Sequence, residues 1–129
     1  MGRVFLEPAT APRPYICKSC GVVLGERCGL SSRAFHGRGG RAYLFNFASN
    51  LIFGAIEDRA LLTGIHTVAD VKCAGCARVV GWAYLWAASA GQRYKHGKVV
   101  LERAQLDRAT KGDGDSVSGV DDGASSGAD

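Results

Sequence analysis

Long apolar runs are missing from this chain: no stretch approaches the ~20 consecutive apolar side chains that a membrane-spanning helix requires, so no membrane partner is expected. Proline is scarce, three residues in all, standing only at 8, 12 and 14. Each ring removes a backbone donor and biases the residue before it toward extended geometry, so residues 1–13 read as a flexible N-terminal segment without the apolar stretch of a signal peptide. Cysteine is absent after position 76. No Ser/His/Asp or Cys/His constellation stands out, and no phosphate-cradling GxxxxGK[ST] pattern occurs, so the chain lacks the equipment of a catalyst and an enzyme is not expected. Acidic residues are few in the body: residues 1–108 hold 15 Lys or Arg against 7 Asp or Glu, net +8.

What is present suits one small domain. The 129 residues are 47% hydrophobic, enough for one modest core whose stability a crosslink would raise. From Thr110 onward "TKGDGDSVSGVDDGASSGAD" is Gly, Ser, Asp and Ala with two isolated valines, net −4. It cannot bury enough apolar surface to offset its ordering entropy, so residues 109–129 read as a disordered acidic tail and residues 14–108 as the folded unit.

Within that unit the periodicity is that of strands. "GRAYLFNF" and "NLIFGAIE" are aromatic and branched runs with a turn near Ser49 between them. "HTVADVKC" alternates, and "VVGWAYLW" places Val80, Trp82, Tyr84 and Trp86 on one face. "AASAGQRYKHG" reads as a short helix or loop, and "GKVVLERAQL" as a closing strand after Gly97. Many short strands without long helices predict an antiparallel, mainly β domain.

The chemistry-bearing feature is a pair of CxxC turns, Cys17-x2-Cys20 and Cys73-x2-Cys76, 52 residues apart. In a reducing intracellular compartment such pairs point to metal or redox chemistry before disulfides. Neither pair sits at a helix start after a strand, as a thioredoxin-like centre requires. Two hairpin tips brought together would offer four soft donors at tetrahedral corners, which suits one structural zinc ion with no coordination position left for substrate. Cys28 stands apart and reads as a small buried hydrophobe or a free thiol. His66 is expected to be a hydrogen-bonded structural histidine, because four cysteines already fill the metal's shell. Arg33, Arg38 and Arg41 cluster in the glycine-rich loop "SSRAFHGRGGR"; phosphate contact there is the nucleic-acid reading, and a solvated loop is the reading favoured over it.

The cysteine spacing, together with "FHGRGGRAYLF", "LLTGIHTVADVKC" and "GWAY", resembles the Yippee-like zinc-binding proteins over about Tyr15 to Leu106. The resemblance implies a β-tent, the fold shared with Mis18 proteins and the ligand-binding domain of cereblon: two antiparallel sheets meeting at an angle, pinned by one zinc on Cys17, Cys20, Cys73 and Cys76. It implies a non-enzymatic binding or adaptor module that works through protein partners in nuclear, cell-division or ubiquitin-ligase assemblies, located in nucleus or cytoplasm. Sulfoxide reductases of similar fold need a reactive cysteine late in the chain, which this sequence lacks. In cereblon-type relatives an aromatic strand lines a ligand cage, so Trp82 and Tyr84 are the candidate ligand or partner surface, with packing as core the competing reading. The sequence departs from the family pattern at Gly39, Ala55, Ala83 and Leu85, so a surface using the family's lysine and glutamate in "GWKYE" does not carry over.

Overall fold

Branched and aromatic runs separated by glycine and polar turns fold as strands because their side chains pack well on a pleated, half-buried surface. The computed structural model describes residues 6–9, 12–37 and 39–109. Among them lie nine strands: β1 Tyr15–Cys17, β2 Val23–Gly25, β3 Leu30–Gly37, β4 Gly40–Phe45, β5 Leu51–Leu61, β6 Gly64–Cys73, β7 Val79–Ala87, β8 Val99–Glu102 and β9 Leu106–Arg108. Three short 3-10 helices interrupt them: η1 Arg27–Gly29, η2 Ala90–Lys95 and η3 Arg103–Gln105. The mainly β, two-sheet expectation holds. A three-stranded sheet runs β2-β1-β9 and a six-stranded sheet runs β3-β4-β8-β7-β6-β5, with every pairing antiparallel.

Register decides which side chains meet. Tyr43 pairs with Leu101, Leu101 with Gly81, Gly81 with Val71 and Val71 with Phe53, so these share one face of the large sheet. Phe45, Val99, Ala83, Ala69 and Ile56 form the next row of that face. The small sheet packs on part of it: Tyr15, Cys17, Leu24 and Leu106 join Tyr43, Phe45, Val71, Cys73, Val80, Ala83, Val99 and Leu101 in the main core. Tyr15 meets Tyr43 and Phe45 edge-on, with ring centroids 5.8 and 5.5 Å apart, the arrangement that aromatic quadrupoles prefer. The opposite face carries a second core of Ala42, Leu44, Val68, Tyr84 and Val100, with Phe35, Leu61 and Trp82 against it.

Three expectations change. Trp82 and Tyr84 do share a face, but Val80 and Trp86 leave it, because the β6–β7 register shifts between Val71 and Lys72 and between Thr67 and Val68. Each such bulge inserts a residue and turns the side chains beyond it to the other face. The arginine loop is a hairpin: Arg33 lies on β3 and Arg41 on β4, while Arg38 lies outside the described residues. The closing strand divides in three: β8 belongs to the large sheet, η3 turns the chain and β9 completes the small sheet against β1. The turn near Ser49 links strands that are not paired with each other: β4 pairs with β3 and β8, and β5 with β6.

The N-terminal segment meets the body through Glu7, whose N–H donates to Asn50 Oδ1 at 2.7 Å. Most of the expected acidic tail, residues 110–129, lies outside the described residues. No helix among the described residues is long and apolar enough to cross a membrane.

Candidate metal centre

Each CxxC pair begins at the end of a strand and turns back on itself. β1 ends at Cys17 and β6 ends at Cys73. In the first turn the Gly21 N–H donates to Cys17 O at 2.8 Å and the Cys17 N–H to Val22 O at 2.9 Å. The second repeats this: the Ala77 N–H donates to Cys73 O at 2.7 Å and the Cys73 N–H to Arg78 O at 2.9 Å. Both turns need a left-handed residue after the second cysteine. Gly21 provides it at φ 83° without strain, while Ala77 takes it at φ 67° against its Cβ.

The two turns converge. Cys17 Sγ lies 3.7 Å from Cys76 Sγ, and Cys20 Sγ 3.5 Å from Cys73 Sγ. All four sulfurs lie within 4.8 Å of one another. A tetrahedral zinc with ~2.3 Å bonds to sulfur has ligand–ligand edges of about 3.8 Å, so this donor set fits one such ion. The four cysteines are positioned to bind a single zinc and to serve it as a structural site. Close approach is built in at Gly75: a Cβ there would stand 2.6 Å from Val22 Cγ2 and 3.0 Å from Cys20 Sγ. The Gly75 N–H also donates to Cys73 Sγ at 3.3 Å, a hydrogen bond that favours the thiolate.

Without a cation, Cys73 and Cys20 resist ionisation. Burial pushes the Cys73 thiol up to about 12 and raises that of Cys20, whereas a hydrogen bond from the Arg78 backbone lowers Cys76. A divalent ion reverses this logic, since its charge deprotonates the coordinating thiols. One ion then ties β1 and its turn in the small sheet to the β6–β7 turn in the large one.

The remaining candidates fall elsewhere. Cys28 is exposed on η1, a free thiol and not a buried hydrophobe. His66 is fully buried with Nδ1 2.9 Å from Gly64 O. A carbonyl only accepts, so Nδ1 carries the proton, and Nε2 is a buried acceptor with no partner among the described residues. Seven residue steps along β6, on the order of 23 Å, separate it from Cys73. Tyr84 is buried and Trp82 half-buried, their rings 6.4 Å apart edge to face. Arg33 is half-buried and Arg41 exposed on adjacent strands.

Sequence reasoning missed two features. One is Lys95, 3% exposed at the end of η2; nothing in the polar string "GQRYKHG" signals burial, except that Tyr94 precedes it. The other is a row of exposed apolar side chains on the open part of the tent's inner face. Phe53 and Ile56 stand on β5, and Ile65 and Trp86 lie beside them on β6 and β7, through the pairs Ala60–Ile65, Asp58–Thr67 and Thr67–Trp86.

Comparison with known proteins agrees with this geometry. A family profile described as Yippee zinc-binding/DNA-binding and Mis18, centromere assembly, matches residues 14–120. A yippee-like protein of Arabidopsis thaliana is 46% identical over 101 residues, covering 78% of this chain and 95% of its own. The yippee protein of Drosophila melanogaster is 43% identical over 109 residues, covering 84% of this chain and 90% of its own. The crystal structure of the Mis18 "Yippee-like" domain superposes with a TM-score of 0.61 at 14% identity, covering 80% of this chain and all of that one, which is a likeness of fold.

Proposed function

This chain belongs to the Yippee-Mis18 zinc-binding family, and from that premise we propose that it is a non-enzymatic binding module acting through protein–protein contacts in an intracellular, reducing compartment. The observation that carries the reading is the uncovered apolar row. Phe53, Ile56, Ile65 and Trp86 are respectively 55%, 68%, 48% and 48% exposed, and register puts all four on the face whose other part packs against the small sheet. Exposed apolar residues that occur singly need no explanation, but several on one face, here divided by the polar pair Asp58–Thr67, mark an interaction surface. The polar edge on this face is Asp58, whose Oδ1 accepts from Thr67 Oγ1 at 2.6 Å, and Arg93, which covers the Trp86 ring at 5.0 Å; the Glu57–Arg59–Asp70 ion pairs lie on the other face.

Such a surface works only if its backing is rigid, and the zinc supplies that rigidity at the end of β6. The four sulfurs leave no coordination position for a substrate, which supports a structural ion and a binding role. Nuclear, cell-division or ubiquitin-ligase assemblies remain the settings that the family resemblance suggests. The test is affinity capture from cells expressing the tagged protein, with quantitative mass spectrometry, comparing wild type with a Phe53→Ser/Ile56→Ser variant that retains zinc. The reading expects a defined set of proteins held by wild type and lost from the variant. Equal retention by both would reject this face as the docking surface.

A further inference from the structure

Lys95 is the only fully buried residue of η2, whose other residues are exposed apart from the half-buried Gln92. Its ammonium has one hydrogen bond, from Nζ to Thr63 Oγ1 at 3.1 Å. No carboxylate among the described residues forms an ion pair with it. Its neighbours are rings from three elements. Nζ stands 5.0 Å from the centroid of Tyr84 on β7, 5.4 Å from that of Phe35 on β3 and 5.8 Å from that of Tyr94 on η2. His66 packs on Tyr84, its ring 5.2 Å away.

These distances describe a loose fit. Non-bonded heavy atoms touch at ~3.5–4.0 Å, so the ammonium is held back from each ring centre by about 1–2 Å. A primary ammonium is compact and strongly hydrated, and this one has left its water for a single hydroxyl. A methylated ammonium is wider and gives up less hydration, and aromatic cages recognise that group. We propose that Phe35, Tyr84 and Tyr94 form a receptor box for a methylated ammonium group, and that Lys95 is its built-in plug.

On binding, the Lys95 side chain swings into water while η2 stays seated through Arg93, which donates from Nε to Ala87 O and from Nη2 to Ala88 O. Tyr94, 55% exposed, forms the wall on the solvent side. The box stands on the face of the large sheet opposite the apolar row, so it is independent of the docking reading. The group could arrive as a methylated lysine of a protein tail or as a free quaternary amine, and the two are separable.

The test uses the zinc-loaded full chain and aromatic-ring NMR. Tetramethylammonium is titrated against sodium at equal ionic strength, then a trimethyl-lysine peptide and its unmodified counterpart. Wild type is expected to show saturable shifts of the Tyr84 and Tyr94 rings with Lys95 Cε moving to its solvent-exposed position. Lys95→Ala is expected to bind about tenfold more tightly, because a plugged site reduces affinity by its open fraction. Preference for the trimethylated peptide assigns the box to protein tails, and response to tetramethylammonium alone assigns it to free quaternary amines. Ring signals of the wild-type protein that respond to neither probe overturn the proposal, whether or not Lys95→Ala folds.

Discussion

Gly75 shows how a single residue governs the metal centre. Any side chain there runs into Cys20 Sγ and Val22, so the second turn must back away from the first. Gly75→Ala is expected to cost about 1–3 kcal/mol through overpacking and to loosen the metal, measurable as faster zinc transfer to a chromophoric chelator. Lys95 carries a second residue-scale prediction, in pH. Burial lowers its proton affinity below the ordinary 10.5, so the unfolded chain binds more protons than the folded one between the lowered value and 10.5. Stability therefore rises with pH through that window, while below it the cost of burying the charged Lys95 is constant and present in full. Tyr84, raised by burial above 10.0, acts in the opposite direction once the pH passes its ordinary value. The melting temperature of wild type measured against Lys95→Met isolates the lysine: the deficit of wild type should shrink as pH climbs toward 10. A constant difference would mean that Lys95 is neutral or well solvated.

Among the elements, β5 is the most exposed to consequence. It is an edge strand of eleven residues with Ile52, Phe53 and Ile56 open to water, the kind of edge that pairs with other chains unless it is guarded. Ile56→Lys is expected to change stability by no more than about 0.5 kcal/mol while reducing self-association, read by light scattering against concentration. An unchanged scattering profile would show that the edge is already protected. The β6–β7 bulges set what the sequence could reveal. A strict two-residue alternation put Trp82, Tyr84 and Trp86 together, but pairing slips at Thr67/Val68 sent Trp86 to the other face. Such slips arise from packing with neighbours and leave no trace in local composition. β1, β2 and β9 were equally hidden, since each has three residues and β1 finds its partner β9 about ninety positions away. The CxxC turns were legible because their geometry is local: two cysteines, a tight turn and a left-handed residue lie within five positions. The burial of Lys95 was not, because its rings come from β3, β7 and η2.

At the scale of the whole molecule, two sheets share one core and one cluster of sulfurs. A fully buried Val, Leu or Phe contributes about 1.5–3 kcal/mol, and much of that serves to offset chain entropy in a domain of this size. Metal binding and folding therefore share one free energy here. Cys73→Ser should lose both together, giving a broad, non-cooperative melt by circular dichroism where wild type melts sharply. The most direct measurement is zinc K-edge absorption on reduced, purified protein, paired with its metal content. The account predicts one zinc per chain with four sulfur ligands at ~2.3 Å; substoichiometric metal, or a shell containing nitrogen or oxygen, would contradict it.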